Sequence, residues 1–264
     1  KNLKHNKLLQ KIESSAFLNS FFRFFLRTFF KIYDVIPFSE RDYFKKSGKY
    51  LFELSEDEIE IFEKKFKIVK YDDKAPDIKQ MVTNLSKTSN NIFLTFTSLD
   101  KIGHKFGPYS KEYSETSKKF LDNIFEIYEF LKKMHEEVRF ILLSDHGMSQ
   151  IYGFLDIFTN LYKTFGFPGE KYYILVDSVY IRVWAQDQKI INEIKDFLSE
   201  IDALKFLSEK ERQIYEIENR KFGDLIFIAK EGYSFYPNHF NLILKSFPLG
   251  MHGYIESSDT SSGV

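Results

Sequence analysis

The stretch from residue 91 to residue 144 constrains the fold more than any other part of the chain. It opens with a short β-rich run, NIFLTFT (91–97), and closes with a second, VRFILLS (138–144). Between them a helical pattern spans about 110–136, where Phe120, Leu121, Ile124, Phe125, Tyr128, Leu131 and Met134 recur every three or four residues. Antiparallel strands can be joined by a tight turn, whereas a long helix between two strands is the mark of a parallel crossover. Parallel strands are usually covered on both faces, which fits the nearly unbroken apolar character of both runs.

The texture changes past Gly153. YYILVDSVYIRVWA (172–185) reads as two strands, DQKIINEIKDFLSEI (187–201) as an amphipathic helix, LSEKERQIYEI (207–217) as helix or loop, and GDLIFIAK (223–230) as a strand. The expected class is therefore α/β. The expected architecture is a mostly parallel sheet flanked by helices, with a small α+β cap or insertion over about 155–220.

Composition narrows the chemistry. The 264 residues are 43% hydrophobic, enough for one large core or one core plus a small lobe. Lys+Arg and Asp+Glu both number 38, so no basic excess points to duplex nucleic acid. There are no cysteines, which excludes disulfides and thiolate ligands; a metal would have to be held by His, Asp or Glu. No uncharged apolar run reaches the ~18 residues of a spanning helix. Residues 1–36 read as helical, and FLNSFFRFFLRTFFKIY (17–33) places Phe21, Phe22, Phe25, Leu26, Phe29 and Phe30 at helical spacing. A membrane-surface or partner-binding helix is one reading. Packing against a core is the favoured one, because the segment has few basic residues and the whole chain is rich in Phe. The chain begins at Lys1 and ends in SSDTSSGV, so a longer parent protein is expected.

Three polar stretches stand at the ends of apolar ones. SLDKIGHKFGP (98–108) follows the first strand and carries Asp100 and His104. SDHGM (144–148) follows the second and carries Asp145 and His146. GMHGY (250–254) sets His252 between glycines. In open parallel sheets, active groups gather at the carboxyl ends of strands. Carboxylates and imidazoles are the ligands of a borderline divalent ion. Singly, each stretch reads as a cap, turn or loop; together and in this order, a metal site is the better reading. Gly147 gives the reason that adjacent Asp145 and His146 can serve one site, since it lets the chain leave the extended form in which neighbours point to opposite faces. His239 reads as structural or substrate-facing, His5 and His135 as surface residues, and Asp224 as a turn or packing residue.

These motifs resemble those of the type I phosphodiesterase/nucleotide pyrophosphatase family, within the alkaline phosphatase superfamily. LDKIGHKFGP matches its D-x-x-G-H-x-x-G-P element, LLSDHGM its second metal element, and GDLIFIAKEGYSFYP with GMHGY its late strands and last metal histidine. The likeness covers roughly 91–254 and is weakest over 155–220. It implies two divalent ions, usually zinc, with manganese or iron as alternatives, cleaving small phosphate esters through a covalent phospho-enzyme. Carried over, Asp100, His104 and His252 would hold one ion, and Asp145 and His146 the other. The family also needs a further Asp and a Thr or Ser nucleophile. Thr28, Thr83, Ser86, Thr88 and Ser89 lack the matching strand–nucleophile–helix context, so that pair is expected upstream of Lys1. Sulfatase, phosphomutase or phosphoethanolamine transferase activity is the neighbouring alternative, and a non-catalytic binding descendant the more distant one. Tyr109, Tyr233, Phe235 and Tyr236 could stack on a base, though 30 Phe and 16 Tyr make coincidence the simpler reading.

Overall fold

The structure is a computed structural model that describes residues 64–71, 82–84, 86–87, 89–166, 168, 171–238 and 247–255. Residues 17–33, His5, Thr28, Thr88 and His239, singled out above, lie outside the described residues.

Strand β1 (Lys67–Tyr71) pairs in parallel with β2 (Ile92–Phe96), from Lys67 opposite Ile92 to Tyr71 opposite Phe96. The expected 91–97 strand is thus present. It runs directly into α1 (Ser98–Phe106), which is closed by Gly107 at φ 84°, a left-handed turn that favours glycine. The long helix is α2 (Lys111–Met134), with the Ser110 hydroxyl accepting from the Tyr113 N–H at its start. Its buried seam runs through Ile124 and Ile127. Leu121, Phe125 and Met134, expected on the apolar stripe, are exposed.

Residues 138–144 depart from expectation. Among the described residues they enter no strand ladder, and the run from Phe140 to Leu143 is exposed, Ile141 at 70% and Leu143 at 73%. The sequence supplies the β-rich composition but not the neighbouring strand, and a strand exists only where a partner takes up its backbone hydrogen bonds. A cavity of about 1000 Å³ lies alongside, lined by Ile92–Phe96, by residues 137–148 and by Phe120, Ile124, Ile127 and Leu131 of α2. The mostly parallel sheet is accordingly not what the described strands form. Two short parallel pairs are present, and the largest sheet is antiparallel.

Three short strands follow: β3 (Ser149–Gln150), β4 (Gly153–Leu155) and, after α3 (Ile157–Phe165), β5 (Tyr172–Val176). Then come β6 (Tyr180–Ala185), α4 (Gln188–Ser199), β7 (Leu204–Phe206), α5 (Glu209–Ile214), β8 (Leu225–Ala229), β9 (Tyr233–Phe235) and β10 (Gly250–Met251). The four-stranded sheet runs β5–β6–β8–β7, all antiparallel. It draws β8 from beyond residue 220, so this antiparallel unit extends from 172 to 229.

That unit holds the main core. Ile174, Val176, Ile181, Val183, Ile194, Leu198 and Phe227 are fully buried on the face covered by α4. The opposite face of β6 is buried as well: Trp184 donates from Nε1 to Arg220 O at 2.9 Å, and Arg182 lies between the Tyr180 and Phe222 rings. Asp224 has the packing role expected of it. Its carboxylate accepts from the Ala185 N–H at 3.0 Å and from Arg220 Nε at 2.8 Å. Among the described residues, no helix is long and apolar enough to cross a membrane.

Candidate metal centre

Each ligand-bearing segment is held by a different local device. Asp100 and His104 stand one turn apart on α1, an i, i+4 spacing that puts both on one helix face. Asp145 and His146 follow the exposed run and precede β3. His252 follows β10, which pairs antiparallel with β3 through Gly250 opposite Gln150 and Met251 opposite Ser149. That short ladder brings His252 to His146. The contact between α1 and β10 brings it to Asp100, through the Leu249 N–H donating to His104 O at 2.8 Å.

The resulting cluster joins four of the five candidate residues directly. Asp100 Oδ1 lies 3.2 Å from His104 Nε2 and 3.5 Å from His252 Nε2. The His146 and His252 rings stack with centroids 3.6 Å apart, and His104 and His252 lie 5.1 Å apart. Asp100, His146 and His252 each offer one ligand atom within 4.8 Å of the others. This triplet cuts across the two ligand sets carried over from the family pattern, taking its members from both. Asp145 adjoins through its Oδ2, 3.4 Å from His146 Nε2, and its side chain is 88% exposed.

The protonation pattern follows from the partners. His104 Nδ1 is 2.8 Å from Gly250 O, and His146 Nδ1 is 2.9 Å from Gly147 O. A carbonyl oxygen only accepts, so each Nδ1 donates to it and Nε2 is the nitrogen turned to the cluster. An imidazole whose other nitrogen is fixed on a backbone carbonyl is the usual arrangement of a metal-bound histidine. His252 is pushed below its ordinary value, first by burial and then by His146 and His104, against the opposing pull of Asp100 and Asp145. The shift is toward the neutral form, which is the form a metal ligand requires.

Asp100 Oδ1 is the sharpest feature of the cluster. It is a buried carboxylate oxygen that no donor reaches among the described residues, although two imidazole nitrogens face it. A buried acceptor with no donor is costly. Lone pairs from a carboxylate and imidazoles converging on one point repel unless something positive lies between them. A divalent cation satisfies all three groups at once, so the donor set fits a metal.

The other candidates separate plainly. His135 caps the C-terminal end of α2 and is exposed. Phe235 is fully buried and cannot stack on a ligand, whereas Tyr109 is largely exposed. Residues that the motifs did not mark also shape the site: the Gly250 and Gly147 carbonyls orient two histidines, and Met148 and Gln150 pack against the glycines of α1. The available signal was the glycine beside each histidine motif, read above only as a turn.

Comparison with known proteins bears on the family. A family model described as type I phosphodiesterase / nucleotide pyrophosphatase matches residues 23–255. The human bis(5'-adenosyl)-triphosphatase ENPP4 is 27% identical over 196 residues, which is 72% of this chain and 41% of that protein. GPI ethanolamine phosphate transferase 1 of Chaetomium globosum is 42% identical over 59 residues, 22% of this chain and 6% of that protein. Murine ectonucleotide pyrophosphatase / phosphodiesterase 5 superposes with a TM-score of 0.57 at 20% identity, covering 74% of this chain and 52% of that one. An inactive threonine-to-alanine form of the same murine protein, in complex with AMP, superposes equally well. The chain thus spans about half the length of its structural relatives and less of its curated ones.

Proposed function

The chain belongs to the type I phosphodiesterase / nucleotide pyrophosphatase family, and on that premise we propose that the full-length protein is a metal-dependent phosphodiesterase or nucleotide pyrophosphatase-like hydrolase of small phosphate esters. Asp100, His104 and His252 are assigned to one divalent ion, and Asp145 and His146 to a second, with zinc the first candidate and manganese or iron next. Bound there, the ions would polarise a phosphoryl oxygen and stabilise the leaving alkoxide. The protein's own contribution is positional: backbone carbonyls orient the rings of His104 and His146, and burial lowers the pKa of His252.

One observation carries the reading: the buried Asp100 oxygen has no donor and faces two imidazole nitrogens. The nucleophile, a Thr or Ser, and the second ion's remaining Asp are assigned to a strand upstream of Lys1. The cavity supports that assignment: it is lined by Ile92–Phe96, by residues 137–148 with Asp145 and His146 among them, and by Asp100. A parallel strand entering it would complete the mostly parallel sheet and end at the metal cluster. The antiparallel unit at 172–229 is then the cap or insertion of this domain.

The AMP complex of the murine relative supports a nucleotide-type ester as substrate. A second reading, transfer of ethanolamine phosphate, is favoured by the 42% identity over 59 residues to such a transferase. Assaying the full-length protein against a nucleotide pyrophosphate, a phosphodiester, a phosphomonoester and a sulfate ester separates these. Fastest turnover of the first two supports the proposal. Preference for the monoester or the sulfate refutes it, and no hydrolysis of any, with the ions bound, moves the transferase or a binding role forward.

A further inference from the structure

At the join of α1 and β10 two backbones touch without a side chain between them. A Cβ at residue 250 would overlap the carbonyl oxygen of Gly103 and come within 3.0 Å of the Met148 sulfur. That same carbonyl accepts the Gly107 N–H that closes α1. Residue 250 has no left-handed backbone angle, so an alanine there is excluded by space and not by conformation. From its other side, Gly250 presents the carbonyl that holds His104 Nδ1.

The three ligand-bearing segments thus meet at one point. α1 brings Asp100 and His104, β10 leads to His252, and Met148 follows Asp145 and His146. We infer that Gly250 is a positioning residue for the metal centre: its missing side chain sets the spacing at which Asp100 and His104 stand from His252. Gly103 makes a contact of a different kind. A Cβ there would meet the terminal methyl of Met148 at 2.9 Å, its Cγ at 3.2 Å and the Tyr113 ring at 3.3 Å, all side-chain atoms, and the closest, the flexible end of a methionine, can move aside where a backbone carbonyl cannot. The two glycines should therefore respond differently to the same substitution.

The inference rests on the metal-centre reading, and the test keeps the two apart. Zinc and manganese affinities of the full-length protein are measured by competition with a chromogenic chelator, alongside the apo-protein melting temperature. Gly250→Ala is expected to weaken the tighter ion by about 10- to 100-fold, the range for residues that orient ligands. Gly103→Ala should stay within about 3-fold of wild type by the Met148 argument. Gly166→Ala, at a left-handed glycine with open space around it, should lower the melting temperature and leave affinity unchanged.

Wild-type affinity in Gly250→Ala overturns the positioning role while leaving the metal centre standing. A wild-type protein that binds neither ion overturns both. If Gly250→Ala does not fold, Met148→Ala and Met148→Leu decide instead. A loss with alanine that leucine restores supports the seam as the spacer, because leucine conserves volume; unchanged affinity in both overturns it.

Discussion

The antiparallel unit at 172–229 and the segment at 92–148 draw on the same kinds of residues but dispose of them differently. In the first, Ile181, Val183, Trp184 and Phe227 have essentially no solvent contact, and each strand has a neighbour to bond to. In the second, four consecutive apolar residues, Phe140–Leu143, are exposed beside a cavity of about 1000 Å³. The first region closes its core with its own side chains. The second leaves an apolar surface facing a space that reaches Asp100, Asp145 and His146. The candidate site thus lies along the less self-sufficient part of the molecule, while the self-sufficient part contributes Val179, which lies against Gly253.

The largest effect that would break this contrast concerns cores. Phe227→Ala should cost about 3–5 kcal/mol, read from the denaturation midpoint, because it opens a cavity in a region already packed. A cost under 1 kcal/mol, on the scale of an ordinary surface change, would show that the antiparallel unit is not the core it resembles. Leu143→Ala in the full-length protein is the next test. If an upstream strand fills the cavity, the change should cost about 2–5 kcal/mol. A change within about 0.5 kcal/mol would show that residues 140–143 stay exposed, and the proposed strand would lose its place.

A smaller effect sharpens the picture of the antiparallel unit. Glu211 closes a capping box with Ser208 and receives Lys205 Nζ at 2.6 Å. The hydrogen bond from Lys205, followed by those from Ser208, holds its carboxyl at about 2, below the ordinary 4.5. A lowered carboxylate stabilises the fold fully above 4.5 and loses that contribution as pH falls toward 2. Glu211→Gln should therefore lower stability at neutral pH by about 1 kcal/mol, the usual worth of a cap. The melting curves of the two proteins should converge as pH drops through that window, and a constant gap down to pH 2 would contradict the assignment. The smallest expected effect is at Tyr109, exposed and packed on little: Tyr109→Ala should leave stability within about 0.5 kcal/mol.

The legible and illegible parts of the sequence divide along the same line. Periodicity found β2, α2, the β5–β6 pair, α4 and β8, because each carries its own pattern of buried residues. It mistook residues 138–144 for a laddered strand, since composition reports a preference and not the presence of a partner. The helical stripe was placed slightly off its true seam for a related reason: Phe125 and Leu121 are apolar yet exposed, while the fold buries Ile127, which the stripe left out, beside Ile124, which it included. The motifs pointed to Asp100, His104, Asp145, His146 and His252, and the structure sets His104 and His252 against a buried oxygen of Asp100, with His146 stacked on His252. What no motif could give is the orientation of the rings. That depends on carbonyls supplied by distant chain, as with Gly250 and His104, 146 residues apart.

The central claim, a phosphoesterase centre built on two ions, is tested most directly by elemental mass spectrometry of the full-length protein, with Asp145→Ala and His252→Ala beside it. The account expects about two ions per chain in the wild type, fewer in each variant, and zinc foremost. A folded wild-type protein that carries no stoichiometric metal, or one whose metal content is untouched by both substitutions, would contradict it.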